Sequence, residues 1–292
     1  MALSVERLSV SPEFTKALMV MAQRLRQQFD ENPRLARVLG SHQRWLLCQI
    51  GFALQMEHEP GTERHGLTAG RFKQVVGEAR IASRNTALNF LQQMLIYRFI
   101  FIAGPENMRP RRYEATAASK EAMRNWCLVN LDVLDAVDGG NRVETALAHP
   151  GLLPIVQADM AWRCIADPRW REPSQRVGLF QWTEAGGLVM DDLLIRAGHA
   201  CKANGGHAVN GWYDLGFVDL PRLAATFLMS RTHLQRLCRR AMQAQCLSTK
   251  EGAKGHLLIS ADYIREYAAW QAVKSIHLDA AFEAALMTHG KG

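Results

Sequence analysis

The chain has 292 residues, of which 48% are hydrophobic, and its formal net charge at pH 7 is +7. This composition excludes a disordered tail and suffices for two domains of ordinary size with hydrophobic cores. No apolar run approaches the roughly 20 residues that a membrane span requires, and the first residues lack the basic-then-apolar layout of a signal peptide.

The positive charge is concentrated in two regions. Residues 64–124 hold 11 lysines and arginines against 4 acidic residues, and residues 217–256 hold 7 against 2, whereas the remainder of the chain is net negative. Clustered basic charge is typical of surfaces that displace counterions from nucleic-acid phosphates. Many soluble proteins are also mildly basic, so the charge alone leaves both interpretations open.

The six cysteines are scattered, and no two have the two-residue spacing of a zinc ribbon or a redox motif. We expect free thiols and a reducing, cytoplasmic compartment. Zinc could be held by His199, Cys201 and His207, but no fourth ligand is evident. We therefore predict no metal and no cofactor.

The N-terminal arm, residues 1–40, contains apolar side chains at helical spacing that predict a helix over residues 12–30, with Ser11 as its cap and Pro12 in its first turn. An amphipathic helix must bury its apolar stripe. We expect the stripe to pack against the rest of the chain or against a second copy, which would form a homodimer through this helix.

The next segment, residues 41–137, is predicted as a first domain. Hydrophobic periodicity predicts helices over 41–57, 68–79 and 83–99, followed by a strand from Phe99 to Ile102, a turn at 104–107 and a return strand from Tyr113. Glycine, proline and asparagine at 138–141 and 149–151 predict a linker over residues 138–151.

The remainder, residues 152–292, is predicted as a second domain with extra helices. Helices are expected over 152–166, 183–202, 219–226, 230–245 and 260–274, with a turn over 248–255 and a flexible loop over 204–211.

A pattern occurs twice along the chain. Ser83-Arg84-Asn85-Thr86 opens one amphipathic helix and Ser230-Arg231-Thr232-His233 opens another, and the segment 116–126 repeats as 260–270 with the same cap-to-tryptophan separation. A short helix, a second helix led by small polar and arginine residues, and a basic hairpin describe a winged helix-turn-helix. The predicted fold is thus mainly α with small β-hairpin wings, in two pseudo-symmetric winged helix-turn-helix domains.

The second helix of each unit carries the candidate DNA contacts. A serine cap leaves the first-turn amides facing a phosphate, arginine reads guanine and asparagine reads adenine. Basic hairpin residues suit the minor groove or its flanking phosphates. The DNA-binding candidates of the first unit are Ser83, Arg84, Asn85, Thr86, Asn89, Arg109, Arg111 and Arg112, and those of the second are Ser230, Arg231, Thr232, Gln235, Arg236, Arg239, Lys250 and Lys254.

The first unit resembles the winged-helix domain of MarR-like transcriptional regulators. The resemblance covers about 85 residues and rests on Leu67-Thr68, on Ser83-Arg84-Asn85-Thr86, on the hairpin with Arg109, Arg111 and Arg112, and on the segment 113–117. It implies that the helix begun by Ser83 and Arg84 enters the major groove and that a wing arginine reaches the minor groove. The second unit resembles a more generic bacterial helix-turn-helix.

The sequence therefore predicts a sequence-specific double-stranded DNA-binding transcriptional regulator of bacterial type. A tandem winged-helix plasmid replication initiator and a winged-helix interaction scaffold that does not bind DNA are the alternatives. No phosphate-binding glycine loop, Gly-x-Ser-x-Gly elbow or His-Glu-x-x-His motif is present, so we do not expect an enzyme. The seven tryptophans fit a hydrophobic core better than an effector pocket, and the sequence does not indicate an effector.

Overall fold

The computed structural model describes residues 3–31, 33, 40–59, 66–107, 109–203, 205 and 207–289 and is mainly helical, with small antiparallel sheets. The helices are α1 (Val5–Ser9), α2 (Pro12–Glu31), α3 (His42–Met56), α4 (Ala69–Glu78), α5 (Arg84–Ile96), α6 (Ala117–Asp138), α7 (Arg142–Ala148), α8 (Leu152–Ala166), α9 (Pro168–Arg171), α10 (Gln175–Gln181), α11 (Gly186–Ala203), α12 (Leu220–Thr226), α13 (Arg231–Gln243) and α14 (Ala261–His289). The strands are β1 (Ile100–Ala103), β2 (Arg112–Ala115), β3 (Trp212–Phe217), β4 (Leu247–Thr249) and β5 (His256–Ser260).

The chain divides into two compact units, each built from three separate stretches. One unit contains residues 43–132, 141–171 and 277–292, and the other contains 1–42, 133–140 and 172–276. The sequence predicted consecutive segments, with boundaries at 40, 137 and 151. Residues 141–171 group with the first half of the chain because packing, and not chain order, defines a compact unit.

We call residues 66–116 motif 1 and residues 212–260 motif 2. In motif 1, strands β1 and β2 pair antiparallel from Ile100↔Ala115 to Ala103↔Arg112, and an isolated bridge joins Thr68 to Arg112 on the other side of β2. Helices α4 and α5 pack beside this hairpin around a stacked pair of rings, Phe72 and Phe90, whose centroids lie 6.2 Å apart.

Motif 2 repeats this order of elements, but it begins with the strand β3, where motif 1 has only the isolated bridge at Thr68. Its sheet has the order β3-β5-β4, with Trp212↔Ser260 and Leu247↔Ile259 among the paired residues. Helices α12 and α13 pack together beside the sheet, and their buried side chains include Leu223, Leu234 and Leu237. In each motif, the same sequence of elements thus surrounds a small core.

Most of the predicted elements are confirmed. The helices predicted around residues 12–30, 41–57, 68–79, 83–99, 152–166, 183–202, 219–226 and 230–245 are present with shifted ends, as are the two hairpins. The structure also differs from the sequence prediction in several places. Residues 142–148 of the predicted linker form helix α7, residues 212–217 form an unpredicted strand, and the last helix extends beyond residue 274 to His289. Parts of the predicted arm and of the loop at 204–211 lie outside the described residues.

The apolar stripe of the arm is buried within one unit of the chain. Phe14, Leu18, Met21 and Phe29 of α2 are at most 4% exposed, and α2 packs along α11, where Met19 lies against Gly198. The stripe therefore has a partner in its own chain. A homodimer through this helix is therefore not indicated, because it would require the stripe to be exposed.

Across the described ranges, no helix combines the length and the apolar character needed to cross a membrane.

Candidate nucleic-acid interface

The two serine-capped helices begin with the same geometry. In motif 1, the Thr86 N–H donates to the Ser83 hydroxyl oxygen at 3.1 Å, and in motif 2 the His233 N–H donates to the Ser230 hydroxyl oxygen at 3.1 Å. Each cap satisfies one of the backbone donors that a helix N-terminus leaves unpaired. The other first-turn amides stay available at the positive end of the helix dipole, where a phosphate can bind.

The two helices also end in the same way and connect to the following helix through matching hydrogen bonds. Arg98 and Gln245, each fifteen residues after its serine cap, have φ angles of 58° and 56°. The N–H of Thr116 donates to the carbonyl oxygen of Phe99 at 3.0 Å, and the N–H of Ser260 donates to that of Cys246 at 3.0 Å. The repeat that the sequence indicates is therefore a repeat of local backbone structure.

The polar face of α5 is open to solvent. Ser83, Arg84, Asn85, Thr86 and Asn89 are all exposed, whereas Ala87, Phe90, Leu91 and Met94 form the buried face. Leu88 and Leu95 lie between the two faces and are only half-buried. Among the described residues, Arg84 has no acidic partner, so its guanidinium is available to a ligand.

The exposed face of α13 carries more charge. Arg231, Thr232, Gln235, Arg236 and Arg239 are exposed, as is Arg240, and the helix contains no acidic residue. In the described part of the chain, none of the residues Arg231, Arg236 and Arg239 has an acidic partner. Like charges on one helix face repel each other, and a polyanion bound there would relieve this repulsion.

The three arginines of the motif 1 hairpin have different environments. Arg111 is exposed, and Arg109 is exposed while donating to the main-chain carbonyl oxygen of Glu106 at 3.1 Å. Arg112 is half-buried and forms an ion pair with Glu114 at 2.8 Å. We therefore expect Arg111 and Arg109, more than Arg112, to reach a ligand. Met108 lies outside the described residues.

The hairpin of motif 2 is partly neutralised as well. Lys250 forms an ion pair with Asp214 at 2.7 Å, and His256 Nδ1 lies 3.9 Å from the other oxygen of the same carboxylate. The hydrogen bond from Lys250 is the main cause that lowers the pKa of Asp214. Lys254 is exposed and has no acidic partner among the described residues. The sequence could not identify the Lys250 pair, because its two residues are 36 positions apart.

Helices outside motif 2 hold it in place. The guanidinium of Arg26 in α2 lies 5.0 Å from the ring centroid of Phe227, the residue that follows α12, and the rings of Phe29 and Phe227 are 5.4 Å apart. Arg176 of α10 donates to Glu266 at 2.9 Å and to the carbonyl oxygen of Gln245 at 3.3 Å. These cation–π and ionic contacts lie at the segments that precede and follow α13, and they could not be predicted from the sequence.

The other candidate sites receive no support from the described residues. In the ranges that the structure describes, no three His, Cys, Asp or Glu side chains come together as a metal site. Trp45, Trp126 and Trp170 form a packed cluster with ring centroids 5.3 and 5.7 Å apart, and all three are at most 8% exposed. This cluster belongs to a core and does not line an open pocket.

Comparison of the chain with protein-family models, with curated proteins and with solved structures found no match to any of them. The assignment of a function therefore depends on the chemistry of the two motifs.

Proposed function

We propose that the protein is a sequence-specific double-stranded DNA-binding regulator of transcription, in which motifs 1 and 2 are winged helix-turn-helix domains and the first is similar to those of MarR-like regulators. The observation that carries the proposal is the repetition of an exposed, serine-capped helix free of acidic residues inside the same backbone hydrogen-bond framework. A purely structural helix has no need to keep several arginines unpaired on one face, as α13 does.

In this proposal α5 and α13 enter the major groove. The fork of Arg84 suits the two acceptors of guanine, and the amide of Asn89 suits adenine. The hairpin residues Arg109 and Arg111 bind phosphates or a narrow minor groove. The arginines of α13 supply both base contacts and charge.

The polar faces of both helices are solvent-exposed, which favours DNA binding over the alternative of an interaction scaffold whose faces are covered. All six cysteines are free, which supports a reducing compartment such as the cytoplasm as part of the same proposal.

The first test measures binding of a fluorescent duplex at several salt concentrations. With roughly 6 phosphate contacts, the slope of log affinity against log salt concentration should be about −5. A slope near zero, or no binding at low salt, would exclude DNA binding and favour the scaffold. A selection of bound genomic fragments would then supply the preferred site.

The second test separates base contacts from phosphate contacts on that selected site. Arg84→Ala should cost roughly 1–3 kcal/mol and relax base preference, whereas Arg111→Ala should weaken all sequences evenly. Arg163→Ala is a matched control, because Arg163 pairs with Asp159 on the surface of α8 outside both motifs. Equal and sequence-independent losses from Arg84→Ala and Arg111→Ala would remove Arg84 from the base-contacting role.

A further inference from the structure

Motif 1 exposes a strip of apolar side chains that its fold does not require. Ile96 is 74% exposed, Tyr97 is 54% exposed and Phe101 is 44% exposed. The rings of Tyr97 and Phe99 have centroids 6.1 Å apart. The β1–β2 ladder extends to Phe99 through the hydrogen bond from Thr116, so Phe99 and Phe101 lie on the same face, about 7 Å apart along the strand. We call Ile96, Tyr97, Phe99 and Phe101 the aromatic strip.

Motif 2 provides an internal comparison for this strip. The matching left-handed residues Arg98 and Gln245 align the two motifs, so that the strip corresponds to Gln243, Ala244, Cys246 and Ser248. Motif 2 forms the same backbone with no aromatic residue at any of these four positions. The aromatic residues of motif 1 are therefore not needed for the fold, and their exposure to water is unfavourable in the unbound protein.

The charges around the strip are positive. Arg98 and Arg111 are exposed, and neither has an acidic partner in the described ranges. The nearest acidic residue in the ladder is Glu114, which lies opposite Phe101 and is already paired with Arg112 at 2.8 Å. The surface thus combines aromatic rings with unpaired guanidinium groups.

This combination fits unpaired nucleotides better than a duplex. In a duplex the base faces are covered by stacking, so an exposed ring can contact only base edges or the backbone. In a single strand, each base offers a free face to an aromatic side chain, and basic residues bind the adjoining phosphates. An apolar protein partner would leave the guanidinium groups of Arg98 and Arg111 without a counter-charge.

We propose that the aromatic strip of motif 1 binds single-stranded DNA, with Tyr97 and Phe101 stacking on unpaired bases and Arg98 and Arg111 contacting phosphates. This second nucleic-acid contact goes beyond the duplex recognition proposed for α5 and α13. The two share only Arg111, which would contact a phosphate in either complex.

The test measures binding of fluorescent oligothymidine of about 12 nucleotides to the full-length protein. The double variant Tyr97→Ala with Phe101→Ser introduces the residues that motif 2 carries and should weaken this binding at least about fivefold, because each stacked base contributes that much or more. Ile155→Ser is the matched control, since it removes an apolar side chain of 52% exposure from helix α8 and should leave oligothymidine binding unchanged.

Two further variants distinguish stacking from burial of apolar surface. Tyr97→Phe keeps the ring and should retain binding within about twofold, whereas Tyr97→Leu keeps an apolar side chain without a ring and should bind more weakly than the wild type. Photo-crosslinking with 5-iodouracil-substituted oligonucleotide, followed by peptide mass spectrometry, should locate the adduct on Tyr97, Phe99 or Phe101.

The proposal is overturned if the wild-type protein does not bind oligothymidine, if the double variant binds it as tightly as the wild type, or if the adducts map outside the strip. A change in sedimentation coefficient of the double variant, with oligothymidine affinity unchanged, would show instead that the strip contacts protein. Arg84→Ala, which tests duplex recognition, should leave oligothymidine binding intact, so the two proposals can fail separately.

Discussion

Motif 1 and motif 2 share the backbone structure of their capped helices and hairpins but differ in the side chains that they expose. Helix α5 carries one arginine and two asparagines, whereas α13 carries four arginines and no asparagine. In the hairpins, motif 1 carries more basic residues than motif 2, with three arginines near the tip against two lysines. Caps and turns thus fix the local fold in both motifs, and the exposed residues are free to differ in chemistry.

The largest expected effect concerns stability. Trp126 and Trp270 each lie ten residues after the cap that opens the closing helix, and they are 8% and 7% exposed. We expect Trp126→Ala and Trp270→Ala each to lower the free energy of unfolding by about 3–5 kcal/mol, because a buried ring is removed. Urea unfolding measures both. Trp182→Ala, at a position 45% exposed, is the control with a smaller loss. A loss below about 1 kcal/mol at either buried position would break the equivalence of the two helices that follow the motifs.

The next effect concerns DNA affinity and decides whether motif 2 binds DNA. The double variant Arg231→Ala with Arg236→Ala should weaken binding to the selected site at least about tenfold, or roughly 1.4 kcal/mol, and shorten the protected footprint. Gln243→Ala, on the same helix and exposed, is the uncharged control. A full-length footprint at unchanged affinity would mean that motif 1 alone contacts DNA.

The serine caps should have equal and smaller effects. Ser83→Ala and Ser230→Ala should each cost about 1 kcal/mol of stability, because each removes the acceptor for a first-turn N–H. Ser83→Asp and Ser230→Asp should keep that stability, since aspartate also caps, while lowering duplex affinity through its negative charge. Thermal unfolding measures the stability of each variant, and duplex titration measures its affinity. Unchanged duplex affinity in an aspartate variant would place that helix N-terminus away from phosphate.

The smallest expected effect concerns the hairpin of motif 2. Asp214→Asn should release Lys250 and tighten duplex binding about twofold at low salt, with a salt slope steeper by up to about one unit. Glu114→Gln is the matched change in motif 1, where it should release Arg112. Unchanged affinity in both variants would place the hairpins away from DNA.

The same ion pair has a pH dependence of known sign. The hydrogen bond from Lys250 lowers the pKa of Asp214 in the folded protein. The ion pair therefore contributes to stability in full above the ordinary carboxyl pKa. The contribution is lost as the pH falls through the lowered value. The stability difference between wild type and Asp214→Asn should therefore shrink in acid, which unfolding titrations at several pH values would detect.

Local features of the fold could be predicted from the sequence. The caps at Ser83 and Ser230, the helix pairs that surround them and the hairpins depend on hydrogen bonds between residues close in the chain, and these are encoded in short patterns. Strand β3 could not be predicted, because the segment 212–217 becomes a strand by pairing with residues 256–260. A short strand is stabilised by its partners more than by its own residues.

The candidate site was predicted only as a set of residue types. The sequence identified the exposed polar faces of α5 and α13, because helical periodicity separates them from the buried faces. It could not show that Lys250 pairs with Asp214 and Arg112 with Glu114. Nor could it show that α2 buries its stripe along α11, or that Arg26 and Arg176 support motif 2. Most of these depend on contacts between residues far apart in the chain, and only the tertiary structure brings such residues within reach of each other.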